Sequence, residues 1–374
     1  MKTNVFFTCL LAGTCSLNAV SAQEADTFAT YSLSAYADVY YAAYTDSVGH
    51  GNFQQFPTTS PRNNSIGLNI VQVSSRYDGE KVRGMMTLHF GDIPKSTWSG
   101  TYNPIQEAHL GVRLCKTLWI DGGFFRTHFG TEYLLPVENI TSSVAVATYF
   151  EPYYEAGLRL NYDPTDKLEI NLFLLNGYGI DEDFNKRKSV GLGITYALSD
   201  AAGMGYTNYL GDDSPDTAKF AQTRFAQNLF FNYSGSMVKF QAGADLYIQG
   251  NSAIGNKNGT AMAYSLLATI GYQAAAKVSV YGRAALFRDP DGFLSGVITD
   301  DIHDLTGYKL WEGTAGLEVK PVDNSYVRFE LRRLQMDGNQ EIFRTGSHNV
   351  SYRYDFMVNA GTSFTLLKGV RVRN

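Results

Sequence analysis

Val238-Lys239-Phe240-Gln241-Ala242-Gly243-Ala244-Asp245-Leu246-Tyr247-Ile248 is the stretch that decides the fold. Val238, Phe240, Ala242, Ala244, Leu246 and Ile248 share one phase, and Lys239, Gln241, Gly243, Asp245 and Tyr247 share the other. Successive side chains of a strand point to opposite faces, so this period of two spells a strand with unlike faces. The same pattern runs through 155–162, where Ala156, Leu158, Leu160 and Tyr162 oppose Glu155, Gly157, Arg159 and Asn161. It recurs over 189–198 and 351–364. Extended along the chain it predicts about sixteen strands, near 30–44, 65–78, 81–90, 105–114, 118–127, 154–163, 168–178, 188–198, 202–211, 223–234, 237–249, 260–272, 277–288, 310–320, 325–335 and 349–364. Fourteen is the alternative count. Most of these segments are long enough for the roughly 9–11 residues that a tilted strand needs to cross a bilayer.

Five of the runs end on a tyrosine before a turn: Tyr77, Tyr162, Tyr196, Tyr233 and Tyr272. Tyrosine has an apolar body and a polar tip, so a ring of them marks the level where lipid meets water. The turns that follow are short, whereas the stretches 45–64, 91–104, 128–153, 179–187, 212–222, 250–259, 289–309 and 336–348 are longer and polar. Short turns at one rim and long loops at the other is the layout of a transmembrane barrel. The expected fold is therefore all-β: an antiparallel up-and-down transmembrane barrel with short periplasmic turns and long extracellular loops. Both termini then lie on the periplasmic side. A soluble sandwich would show shorter strands and an outer face of ordinary lysines and glutamates.

Two segments resist a single phase. In 65–78, Ile66, Leu68 and Ile70 oppose Val71, Val73 and Tyr77, which a bulge near Ile70-Val71 would reconcile. In 118–127 no phase is readable.

Residues 1–22 read as a secretory leader, with Lys2, the apolar run 5–12 and the small-residue site Val20-Ser21-Ala22. Residues 23–374 form the single barrel domain. Loss of Lys2 takes the net charge from −5 to −6, and no Lys/Arg-rich run is present, so nucleic acid is not a partner. Cys9 and Cys15 leave with the leader, and Cys115 alone can build neither a disulfide nor a cysteine metal site. No cofactor and no metal are expected. Asp181, Glu182, Asp183, Asp212, Asp213, Asp216, Asp289, Asp291, Asp300, Asp301 and Asp304 gather in the long loops without EF-hand spacing, as a solvated acidic rim does.

The polar phase carries both signs of charge. Arg113, Asp121, Arg126, Glu155, Arg159, Arg283, Arg328, Glu330, Arg332, Arg353 and Asp355 are the candidate pore-lining residues. Arg328, Glu330 and Arg332 beside Arg353 and Asp355 form the best charged strip, because their strands are neighbours. A barrel of about eight strands fills itself, whereas one of 16–18 leaves an aqueous channel. The longest connection, 128–153, has helical potential over 138–150 and could either narrow the channel or cap it. Glu132, Glu138 and Glu151 are its constriction candidates. No catalytic motif is present. His128, near Glu132, is the one arrangement worth inspecting for hydrolysis.

The run Asp121-Gly122-Gly123-Phe124-Phe125-Arg126-Thr127-His128-Phe129-Gly130-Thr131-Glu132, with Glu151-Pro152-Tyr153-Tyr154, Ala37-Asp38-Val39-Tyr40-Tyr41 and Leu175-Asn176-Gly177-Tyr178, resembles the β-barrel porin-2 (OmpL-like) family over most of the mature chain. The resemblance implies an outer-membrane barrel of the Gram-negative type with a pore function; it assigns no substrate and no binding residue. Barrels of this kind often end at an aromatic in the last strand. Here Phe364 fits, but 365–374 continue past it, so that either Phe364 serves assembly as an internal signal or the tail is a periplasmic extension. The function expected is passive diffusion of small polar or ionic solutes through a non-enzymatic, lipid-embedded porin. The alternative is a barrel-anchored surface receptor or adhesion protein without channel activity. Homo-oligomerisation and any partner lipoprotein are left open by the sequence.

Overall fold

The period-two segments close on one another as a single antiparallel barrel of sixteen strands. A computed structural model describes residues 28–256, 258–337 and 340–373; the expected leader lies outside them. In chain order the strands are β1 Phe28–Tyr44, β2 Ser65–Asp78, β3 Val82–Phe90, β4 Ile105–Cys115, β5 Leu118–Arg126, β6 Tyr154–Thr165, β7 Leu168–Leu175 and β8 Ser189–Ala197. They continue as β9 Ala202–Asp212, β10 Thr223–Ser234, β11 Val238–Gln249, β12 Ala261–Ala275, β13 Val278–Arg288, β14 Lys309–Val319, β15 Ser325–Met336 and β16 Tyr352–Arg373. Each strand pairs with the next, and β16 returns to β1, so no edge is left open.

The two phases separate as predicted. On β11 and its neighbours, Asn228, Gln241 and Asp245 are buried in the interior, while Leu229, Leu266 and Ile270 are about half exposed on the outside. Tyr162, Tyr196, Tyr233 and Tyr272 are 39–46% exposed at the short-turn rim, on the surface where lipid sits.

Four local expectations are corrected. The bulge in β2 falls at Asn69: Asp38 pairs with Ile70 and Val39 with Leu68, which leaves Asn69 unpaired. Both Asn69 and Ile70 then turn into the interior, so Ile70 does not join Ile66 and Leu68 outside. The phase of β5 was unreadable because Phe124 and Phe125 are both buried, one against Trp98 and Tyr154 and the other against Phe173. Gly123, just before Phe124 in β5, has φ 143, and a Cβ there would lie 2.4 Å from the Ala108 carbonyl oxygen. The chain beyond Phe364 does not leave the barrel; β16 runs on and pairs Arg371 with Thr30 and Arg373 with Phe28. Finally, 138–150 is not a helix. It holds one end of a 3-10 turn, Pro136–Glu138, and a four-residue helical turn, Val146–Tyr149, with bends between them.

Candidate functional site: the lumenal loop and the space beside it

The loop 127–153 between β5 and β6 enters the barrel because the wall offers its backbone what a helix would have supplied. Glu330 on β15 accepts the amide N–H groups of Ser142 (2.7 Å) and Ser143 (3.0 Å). Glu312 on β14 accepts that of Val146 at 2.8 Å. Arginines take the carbonyls: Arg328 donates to Pro136 and Thr141 (both 2.8 Å) and to Asn139 (3.1 Å), and Arg332 donates to Val144 at 3.0 Å. Arg283 on β13 donates to the Ser143 carbonyl at 2.6 Å and to Glu132 at 2.8 Å. Buried backbone groups must find partners, and here charged side chains of one wall satisfy one irregular segment.

The candidate strip is thus assembled, and it is buried. Arg328, Glu330, Arg332, Arg353 and Asp355 are each at most 4% exposed. Arg332 pairs with Asp355 at 2.6 Å, and Arg353 with Asp355 at 2.7 Å. Arg353 also reaches the first long loop, donating to the Gln55 carbonyl at 3.1 Å and to Gln54. Together these residues hold two loops against the wall. Gln54 completes this network and was missed, since nothing in a loop's sequence reveals which wall it will meet.

On the other side of the loop a lumenal cavity of about 360 Å³ remains. Arg126, Arg159, Glu107, Glu132 and Glu151 contribute to its lining, with Tyr133 and Asn171. Arg126 binds Glu138 through two parallel bonds of 2.8 and 2.5 Å, joining the wall to the loop. Arg159 donates to Asp121 at 3.2 Å, and Arg83 donates to the same carboxylate at 2.7 Å. Arg83 was missed although it lies in the polar phase of β3. Arg113 stands over the Trp119 ring at 4.6 Å, away from this cavity.

The loop's root is polar and tightly packed. His128 contacts Glu155 through Nδ1 at 2.8 Å and the Asn208 carbonyl through Nε2 at 2.8 Å, and it stacks on Phe173. Its partner is Glu155 and not Glu132. Burial opposes charge on this imidazole, but the Glu155 carboxylate outweighs it, and the net effect raises the His128 pKa. Among the described residues Glu151 has no cationic partner; burial first, then Asp245 and Glu132, push its carboxyl well above the ordinary range. Gly130, at φ 108, makes room for it, since a Cβ there would lie 2.1 Å from Glu151 Oε2. Among the described residues no cluster of His, Cys, Asp or Glu could hold a metal ion.

A closed sixteen-strand barrel with an aromatic rim, a lipid-facing exterior and a loop folded into its lumen defines an outer-membrane protein of the porin type. The chain belongs to the family described as Putative beta-barrel porin-2, OmpL-like, whose model matches residues 30–364. No curated protein matches it. Among solved structures it is similar to the outer membrane channel DcaP of Acinetobacter baumannii, with 12% identity, a TM-score of 0.61 and coverage of 90% of this chain and 97% of that one. It is similar to the trimer form of OmpT from Vibrio cholerae, with 11% identity, a TM-score of 0.58 and coverage of 90% and 99%. It is also similar to an anion-selective porin from Comamonas acidovorans, with 8% identity, a TM-score of 0.58 and coverage of 90% and 100%. Identities this low speak for the fold alone.

Proposed function

We propose that the protein is a passive channel for small polar or ionic solutes, open along the side of the lumen that the loop leaves free. The observation that carries this is the 360 Å³ cavity bounded by Arg126 and Arg159 on the wall and by Glu132 and Glu151 on the loop. Opposed charges across a narrow passage select among ions and polar solutes. The path is lined by Arg126 and Arg159, while Arg283, Arg328, Glu330, Arg332, Arg353 and Asp355 fix its shape by anchoring the loops. No step of catalysis is involved. The termini face the periplasm, because the short turns lie at their rim. Homo-oligomerisation is consistent with the trimer form of the Vibrio cholerae protein.

Reversal potentials across a planar bilayer under a salt gradient test the lining. Arg159→Glu or Arg126→Glu is expected to move the potential toward cation preference by on the order of 10 mV, about a 0.2 kcal/mol change for one charge. An unchanged potential in both variants would remove these two residues from the path.

A further inference from the structure

The lipid-facing surface carries a cation that the channel does not use. Arg333 on β15 lies opposite Gly313 on β14 and Tyr354 on β16. It shares its phase with Leu331, which is 52% exposed on the outer surface. Its guanidinium carbon stands 5.6 Å from the ring centre of Trp311, 5.7 Å from Tyr352 and 5.3 Å from Tyr354. One amino nitrogen donates to Gln335 at 2.7 Å. Among the described residues no carboxylate pairs with Arg333, in contrast to its inward neighbour Arg332, which has Asp355. Lys309 begins β14 on the same outer face, two residues above Trp311 and opposite Arg288. Arg288 is neutralised by Asp337, and the Lys309 ammonium has no carboxylate partner among the described residues.

A cation that faces hydrocarbon is costly, and the cost falls toward the interface. Three aromatic faces lower it further by attracting the guanidinium. They do not supply acceptors for its remaining N–H groups. What can accept at this depth is a lipid headgroup. A guanidinium fork matches the oxygens of a phosphate, and an ammonium adds a point charge beside it. Four residues along a strand separate the levels of Lys309 and Arg333, about 13 Å of backbone, which long side chains narrow. Below them Leu331, Phe329 and Phe356, each 42–52% exposed, continue the surface as an acyl-chain track.

We infer that Arg333 and Lys309, framed by Trp311, Tyr352 and Tyr354, form a binding site for the phosphorylated headgroup of an outer-leaflet glycolipid. The site rests on the orientation adopted above, with the long loops outside, and not on conduction. Its occupant is a lipid because the patch merges with the apolar band and lies at the girdle of the long-loop rim.

Native mass spectrometry of the folded full-length protein in detergent micelles tests this, titrated with diphosphorylated lipid A. Its dephosphorylated counterpart and inorganic phosphate serve as separate probes. Lipid A is expected to remain bound, and Arg333→Gln with Lys309→Gln to weaken binding about a hundredfold or more, as loss of two charge-assisted contacts implies. Arg333→Lys in place of Arg333→Gln should recover part of the loss. Heat-modifiable migration confirms that each variant is folded. Equal retention by the double variant overturns the site. Equal binding of the dephosphorylated lipid overturns the headgroup assignment, and inorganic phosphate binding as tightly as lipid A overturns the lipid. A double variant that dissociates an oligomer while keeping its lipid shows the patch to be a protein interface instead.

Discussion

His128 faces two groups that only accept hydrogen bonds, a carboxylate on Nδ1 and a backbone carbonyl on Nε2. Both ring nitrogens must therefore carry protons for both contacts to hold. Its folded pKa is raised by Glu155 against the opposing effect of burial. A raised pKa means the stabilisation is fully present below the unfolded value, about 6.5, and is lost as pH climbs through the folded value. Melting of the purified protein should thus fall as pH rises from about 6 into the alkaline range, and His128→Gln should flatten that slope. A melting point of the variant with the same pH dependence as the parent would contradict the assignment. At this scale the sequence supplied the residue but not the partner. Glu155 stands at the start of β6, 27 positions away, and the pairing of β5 with β6, which sets Phe125 opposite Glu155, brings it to His128.

The element that enters the barrel is the loop 127–153, and it is held by its neighbours more than by its own conformation. Ser142 and Ser143 rest on Glu330, and Val146 on Glu312. Leaving a buried hydrogen-bond donor unsatisfied costs roughly 1–3 kcal/mol. Glu330→Ala strands two loop amides and should detach the middle of the loop. The expected outcome is a larger and noisier single-channel current, by about twofold or more if the loop swings clear of a channel of this size. A current identical to the parent's would show that the loop is held some other way. The strands themselves were legible, since alternation is a property of each segment alone. The loop was not. The stretch 138–150 has helical potential, but Val146 and Ala147 join an apolar cluster with Phe287 and Leu310, and the backbone bonds go to charged side chains of distant strands. The bulge in β2 was legible near Ile70-Val71, but not its exact position at Asn69, which is placed by Asp38 and Ser60, partners on another strand and in a loop.

For the whole molecule, closure joins β1 to β16 over nearly the full length of both strands, down to Phe28 and Arg373. The strand count followed from the sequence because sixteen alternating segments and alternating loop lengths agree. The charged interior was legible as residues and not as roles. Arg332 and Arg126 have the same pattern in sequence, yet Arg332 is buried under the loop and Arg126 lines the open cavity. What divides them is the side of the barrel on which the loop lies. The central claim is that this asymmetry leaves a continuous aqueous path. Single-channel recording of the purified, folded protein in a planar bilayer tests it most directly. Stepwise, reproducible current increments in potassium chloride are the predicted result. A heat-modifiable, correctly inserted barrel that gives no steps at any voltage would contradict it, and would favour an anchor whose lumen the loops have closed.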